Sequence, residues 1–334
     1  MTPPPVTVHP PLVPTRTLGR TGLEVSEIGF GTWGLGGDSY GPVEDAASLA
    51  TLRFAYDSGV TFYDTSDLYG SGHSEKIVGE ALKDVREQIT IATKVGLLPH
   101  SGFEMPSDFS PRHIREALEA SLRRLQTDYV DLYLLHSPTI ETLRGDPAIM
   151  DTLRELQQLG KIRAFGASVR SPADGVLAIR EFDLPVIQVN FNLIDQRAIT
   201  CGLFDLAALR RTGIVIRTPL CFGYLTGKLN GNETLPGKDH RANWPVEQLR
   251  RWAGAPDLFS FINEGRSRTA VQLALRFCLD HPAVCTVIPG MMSQPEVREN
   301  MAASALEPLS RGELERIQLV YANHDFYDKN AKNK

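Results

Sequence analysis

Short apolar runs rich in β-branched residues recur along the chain. They are EIGFG (27–31), VTFYD (60–64), ITIATKV (89–95), YVDLYLLH (129–136), KIRAFGAS (161–168), PVIQVNF (185–191), GIVIRTPL (213–220) and AVCTVIPG (283–290). Each is of strand length and bounded by turn residues. Segments of helical period lie between them. In SPRHIREALEASLRRLQ (110–126) a serine cap is followed directly by proline and then by apolar residues at helical spacing. SEKIVGEALK, AIMDTLRELQQLGK and RTAVQLALRFCLDH read the same way. Strand–helix alternation predicts a parallel sheet covered by helices. Eight units suit a closed (β/α)8 TIM barrel, with an open doubly wound sheet as the rival.

TRTLGRTGLEV (15–25) carries a Gly-centred turn ahead of the first strand and predicts an N-terminal hairpin plugging the barrel. The stretch 221–262 is long and irregular by comparison, a catalytic-face loop of the kind that carries function. The expected organisation is a Pro-rich disordered tail (1–14), one barrel domain (15–327) and a flexible polar tail (328–334). The 334 residues are 42% hydrophobic and 22% charged, which excludes a wholly disordered or fibrous chain. A net charge of −5 argues against nucleic acid or an anionic membrane as the main partner. No apolar run approaches a membrane span, the N-terminus lacks signal-peptide order, and the four cysteines form no CxxC pair. The expectation is a cytoplasmic protein with reduced thiols; no feature assigns an oligomeric state.

Gly29-Phe30-Gly31-Thr32-Trp33-Gly34 matches GxGxxG after an expected strand. The dinucleotide fingerprint also needs a helix at the third glycine and an acidic residue about 20 positions on. Here LGGDSYGP follows, which is not helical, and the later position falls inside a helix pattern. In a barrel this segment is a loop at the catalytic face, where glycines let a ligand approach the backbone.

Polar residues at the C-terminal ends of barrel strands read as catalytic. Asp64, Lys94 and His136 end the second, third and fourth expected strands, and Tyr69 lies on the loop after Asp64. Singly, such a lysine or aspartate is as often a structural ion pair, and a lone histidine is more often structural than catalytic. Four converging at one barrel mouth favour chemistry. A tyrosine of pKa ~10 is a poor proton donor at neutral pH, and a neighbouring ammonium lowers that value. Lys94 supplies the charge, Asp64 holds Lys94 protonated, and His136 bonds a substrate oxygen or relays the proton. Tyr69 then acts as general acid or base on a carbonyl–alcohol pair.

At these residues the chain resembles the aldo-keto reductase superfamily, (β/α)8 enzymes that reduce carbonyls with nicotinamide cofactors. Asp64, Tyr69, Lys94 and His136 match its Asp/Tyr/Lys/His tetrad, and DTSDLYGSGHSEKIVGEAL matches its signature. GFGTW, GKIRAFGAS, QVNFN, PLCFGYLTGK and the EN after VIPG follow in family order, over roughly 15–305. The resemblance implies a cofactor lying across the barrel mouth, near Gly31, Thr32 and Asp64. Ser168 and Gln188 would bind the nicotinamide carboxamide; Val169 replaces the usual asparagine. Arg217 stands where an aromatic ring often stacks, and a guanidinium is planar enough to do so. Leu220, Gly223, Leu225 and Lys228 match the pyrophosphate strap, and Glu299 and Asn300 the adenine contacts. Gly290, Met292 and Glu296 occupy positions where NADP-preferring members place cations, with Arg298 nearby. A carboxylate at 296 repels a 2′-phosphate but accepts from a ribose hydroxyl. The cofactor is therefore NADP or NAD, with the usual NADP preference weakened or reversed.

The substrate is expected to be a small carbonyl compound, sugars or keto-sugars included. Trp33, Tyr69 and His136 would contact it, within walls formed by 96–109, 221–262 and the residues around His324, Phe326 and Tyr327. Two other readings stand beside this one. A metal-dependent barrel hydrolase needs an HxH pair or a similar cluster, and the eight histidines are scattered, so no metal site is expected. A cofactor-sensing binding protein, like the potassium-channel β-subunits that resemble this family, is the other; here every tetrad position is filled.

Overall fold

A computed structural model describes residues 13–100, 104–235 and 237–327. Its strands are β1 (Thr15–Thr17), β2 (Glu24–Ser26), β3 (Phe30–Gly31), β4 (Phe62–Asp64), β5 (Thr90–Val95), β6 (Val130–His136), β7 (Ile162–Ser168), β8 (Val186–Asn190), β9 (Gly213–Arg217) and β10 (Val284–Val287). β3 to β10 form one sheet in sequence order, each neighbouring pair parallel. Its two edges meet where Ile28 bridges Val287 and Gly31 bridges Gly290. Gly29 N donates to Val287 O at 2.9 Å and Gly31 N to Pro289 O at 3.0 Å. The sheet is thus a (β/α)8 barrel, and each expected strand is present with its ends trimmed.

The glycines of GFGTWG serve this seam. A Cβ on Gly31 would lie 2.8 Å from Ile288 O, and one on Gly29 would lie 2.7 Å from the Phe62 ring. Trp33–Gly36 is a single 3₁₀ turn, and the first α-helix starts only at Asp45, so no helix N-terminus stands over the glycines.

Both strand faces are buried, and alternation separates them. On β6, Leu132 and Leu134 pack inside the barrel, while Tyr133 and Leu135 pack outward. Tyr133 donates to Ile114 O of helix Pro111–Leu125 at 3.1 Å. That helix begins as expected, its Ser110 Oγ accepting from His113 N at 3.3 Å. β1 and β2 pair antiparallel. Leu18, Leu23 and Val25 of this hairpin share one buried cluster with Phe62, Ala92, Leu132, Val186 and Val215 from the barrel interior.

Two departures appear. The stretch 221–262 is not irregular throughout: it holds helices Val246–Ala253 and Ala255–Phe259. Leu249, Trp252 and Phe259 are buried there, and Trp252 packs on Trp244 with ring centroids 4.9 Å apart. Of the expected N-terminal tail, residues 1–12 lie outside the described residues, as does the tail 328–334. Val13 is buried, and Pro14 O accepts from Glu27 N at 2.9 Å. Among the described residues no helix is long and apolar enough to cross a membrane.

Leu18 is wholly buried at the hairpin turn. Leu18→Ala is expected to lower stability by about 2–5 kcal/mol, measured by equilibrium denaturant unfolding. A loss below about 1 kcal/mol would mean that the hairpin does not plug the barrel.

Candidate active site

The period of two that points Phe62, Ala92, Leu134, Val186 and Val215 inward also sets the inward layer above them. Two residues further along each strand stand Asp64, Lys94, His136, Gln188 and Arg217, and Ser168 joins them at the end of β7. Lys94 has no exposed side-chain surface. Its Nζ donates to Asp64 Oδ1 at 2.6 Å, Thr65 O at 2.7 Å and Tyr69 Oη at 3.0 Å, which uses all three ammonium protons. Asp64 Oδ2 accepts from Gln188 Nε2 at 2.6 Å, and Gln188 Oε1 accepts from Ser168 Oγ at 2.8 Å. β4 and β8 stand on opposite sides of the barrel, so this chain of bonds crosses it.

Tyr69 sits on a loop pressed against the loop after β3. Gly70 has φ +59°, and a Cβ there would run into the Gly36 carbonyl. Gly70 N donates to Asp38 Oδ2 at 3.1 Å. Below, Thr32 Oγ1 donates to Asp64 O at 2.9 Å and lies 2.6 Å from Ser74 Oγ. Buried Glu75 accepts from Thr93 Oγ1 at 2.5 Å and Arg124 Nε at 2.6 Å. The signature's Ser74 and Glu75 therefore brace the loop that carries Tyr69.

Burial opposes charge on Lys94, but Asp64 and Tyr69 outweigh it and its pKa is raised. Burial pushes the Tyr69 phenol above the ordinary tyrosine value, and the Lys94 ammonium pulls it down without reversing this. The expected net lowering is thus corrected: loops closing over the barrel end remove more water than the ammonium offsets. Burial, then the charges of Lys94, Arg217 and His100, hold His136 well below the ordinary imidazole value. At neutral pH the site holds an ammonium, a neutral phenol and a neutral imidazole. Because Tyr69 Oη accepts from Lys94, its own proton is free to point away. The Tyr69 and His136 rings meet edge to face at 6.1 Å.

The residues expected at a cofactor follow the barrel rim from β7 to β10. Arg217 Nη2 donates to Val169 O at 3.0 Å, while its buried Nε has no partner. Leu220 O accepts from Gly223 N at 3.0 Å and Leu225 N at 3.1 Å, in a turn with φ of +46°, +57° and +94° at Cys221, Phe222 and Gly223. Lys228 Nζ lies 3.1 Å from Glu299 Oε2, joining this turn to helix Gln294–Met301. Asn300 is buried on that helix. Glu296 Oε2 accepts from Met292 N at 2.6 Å, and Arg298 stacks on Phe54 at 4.5 Å. Gly31 and Gly290 meet at the seam. A planar buried guanidinium with an orphaned N–H beside an amide and a hydroxyl is a donor set that fits an aromatic ring bearing a carboxamide.

Trp33 closes over the mouth, its ring 6.3 Å from Tyr69, 6.2 Å from Phe222 and 4.3 Å from His240. Tyr327 packs near Trp252, at 5.8 Å. Phe326 is buried against Phe259 and Tyr321, away from any mouth wall, and His324 is exposed, its Nδ1 on Val320 O at 2.8 Å. Of 96–109, residues 101–103 lie outside the described residues. Sequence reasoning missed Thr65, Ser66 and Asp67, although all three lie inside the recognised signature. It also missed Asp38 and His240, which carry no local signal because their partners are distant in sequence.

The fold is that of a (β/α)8 oxidoreductase family, and comparison with known proteins agrees. The chain belongs to the Aldo/keto reductase family, whose sequence profile matches residues 27–322. It is 34% identical over 274 residues to the aldo-keto reductase YhdN of Bacillus subtilis, covering 80% of this chain and 81% of that one. It is 33% identical over 305 residues to the NADH-specific methylglyoxal reductase of Escherichia coli, covering 86% and 92%. Among solved structures it resembles the glycerol dehydrogenase AKR11B4 of Gluconobacter oxydans, with a TM-score of 0.78, 30% identity and coverage of 94% and 96%.

Removing Asp64 leaves the Lys94 ammonium buried without its counter-charge. Asp64→Ala is expected to cost about 3–5 kcal/mol of stability, and the double variant Asp64→Ala/Lys94→Met clearly less. Denaturant unfolding of both reads this out; a double variant as unstable as the single one would contradict it.

Proposed function

We propose that the protein interconverts a small aldehyde or ketone and its alcohol, using a nicotinamide cofactor, with Tyr69 as general acid and base. The observation that carries this reading is the Lys94 ammonium bonded to both Asp64 and Tyr69 Oη at a buried barrel end. A neutral phenol, raised by burial, holds its proton until a substrate oxygen takes it. The phenolate so formed faces Lys94 Nζ at 3.0 Å, and that contact strengthens as negative charge develops. When bound, the cofactor supplies or accepts the hydride. Ser168, Gln188 and Arg217 would hold its carboxamide-bearing ring, Leu220–Leu225 with Lys228 its diphosphate, and Glu299 and Asn300 its adenine. Trp33 and His136 would orient the substrate. The relatives named for methylglyoxal and glycerol act on small three-carbon compounds, which supports a compact polar substrate here, sugars included.

We further propose a weakened or reversed preference for NADP. Glu296 presents a carboxylate at the head of helix Gln294–Met301, and Arg298 is engaged on Phe54. Lys228 is engaged by Glu299. A dianionic 2′-phosphate would meet a carboxylate there, whereas a ribose hydroxyl would find an acceptor. The methylglyoxal reductase that uses NADH supports the same reading.

Tyr69→Phe is expected to keep cofactor affinity and lose carbonyl reduction by about 10²–10⁴-fold, read by fluorescence titration and steady-state turnover on a panel of small aldehydes. Turnover within twofold of the parent protein would refute the role of Tyr69. For the cofactor, NAD is expected to bind at least as tightly as NADP in one preparation. A tenfold preference for NADP, about 1.4 kcal/mol, would reverse that conclusion.

A further inference from the structure

Ser66 is completely buried beside the candidate site. Its Oγ has three polar neighbours: Leu68 N at 3.2 Å, Asp67 Oδ1 at 3.1 Å and His136 Nδ1 at 3.3 Å. The Leu68 amide can only donate. Ser66 has a single proton to give, to either Asp67 or His136. While Asp67 is a carboxylate it can only accept, so the Ser66 proton turns to it and His136 Nδ1 must donate to Ser66. A neutral imidazole has one N–H, which leaves Nε2 bare. When Asp67 carries a proton, it donates to Ser66, the Ser66 proton turns to Nδ1, and the imidazole proton sits on Nε2.

We propose that Asp67, acting through Ser66, decides which ring nitrogen of His136 carries the proton, and so whether His136 offers a substrate oxygen a donor or an acceptor. This rests on the carbonyl–alcohol reading of the site. A carbonyl oxygen can only accept and needs Nε2–H; an alcohol can donate to a bare Nε2. In the switch, Nδ1 passes its proton to Ser66, Ser66 passes its own to Asp67, and Nε2 takes one proton from water at the mouth. One proton is gained in all. Asp67 and Ser66 are positioning residues; of these three only His136 would meet the substrate.

The surroundings suit a titrating carboxyl. Asp67 faces Glu75 on helix His73–Leu82, Arg124 on helix Pro111–Leu125, and Tyr133 on β6. Arg124 is committed to Glu75, so Asp67 lacks a cation of its own. Burial, with Glu75 adding to it, pushes Asp67 up to about 7, against the bonds from Ser66 and Leu68 and the Arg124 charge. His136 faces Lys94, Arg217, His100 and the Tyr69 ring. Burial first, and then the Lys94 and Arg217 charges, keep the imidazole neutral through the range where Asp67 titrates.

The test follows the His136 ring nitrogens by ¹⁵N NMR in the cofactor-bound protein from pH 6 to 8.5, and KM for a reducible carbonyl over the same range. The parent protein is expected to change from Nε2–H to Nδ1–H as pH rises, with KM increasing about 3–10-fold, the worth of one neutral hydrogen bond. Asp67→Asn, which does not titrate, is expected to hold one His136 tautomer and a flat KM across the range. Ser66→Ala breaks the link and removes the inflection. A parent protein with one tautomer throughout, or a change that survives in both variants, would overturn the proposal. The NMR signal needs no turnover, so it fails or holds independently of the Tyr69→Phe result.

Discussion

A buried ammonium at the end of β5 sets the terms for everything around it. With no exposed side-chain surface, Lys94 stays charged only because Asp64 meets it at 2.6 Å and two further oxygens take its other protons. Asp64 in turn must be held. Gln188 reaches it from the far side of the barrel, and Thr32 bonds its backbone from the loop after β3. The charge is tolerable only in a closed barrel with that loop in place, so formation of the fold and assembly of the site are one requirement.

The two arcs of the rim divide the labour. β4, β5 and β6 supply Asp64, Lys94 and His136, whereas β7, β8 and β9 supply Ser168, Gln188 and Arg217. The first arc carries the groups of the proposed proton chemistry, the second those proposed to hold the cofactor. The arcs adjoin along β6 and β7, where His136 is paired with Ser168, and the Gln188–Asp64 bond at 2.6 Å joins them across the mouth. A disturbance of either arc therefore reaches the other through this amide as well as along the β6–β7 ladder.

The strand-end residues were legible because a buried strand keeps its period of two. The inward parity that brings Leu132 and Leu134 into the interior delivers His136 to the mouth, and the sequence shows that spacing directly. The hairpin plug was legible from its turn and apolar flanks. The direction of the Tyr69 shift was not, because it depends on how much water Trp33, Phe222 and the 221–262 segment exclude, and those contacts join residues far apart in sequence. The Lys228–Glu299 pair, 71 positions apart, and the Arg298–Phe54 stack escaped for the same reason. The helices of 221–262 were hidden by the prolines and glycines around them, although Leu249 and Trp252 already stood at helical spacing.

The seam of the barrel separates what can drift from what cannot. Gly29 and Gly31 are fixed by the backbone opposite them, and Thr32 is tied to Asp64 O through both its N and its Oγ1. Trp33 itself meets Tyr40 of its own loop and Phe222 and His240 of the 221–262 segment. Gly36 and Asp38 still brace Gly70 beside Tyr69, so the boundary between scaffold and exchangeable loop falls just beyond them. An evolving lineage can exchange loop segments beyond those contacts while inheriting the residues of the proposed proton chemistry unaltered.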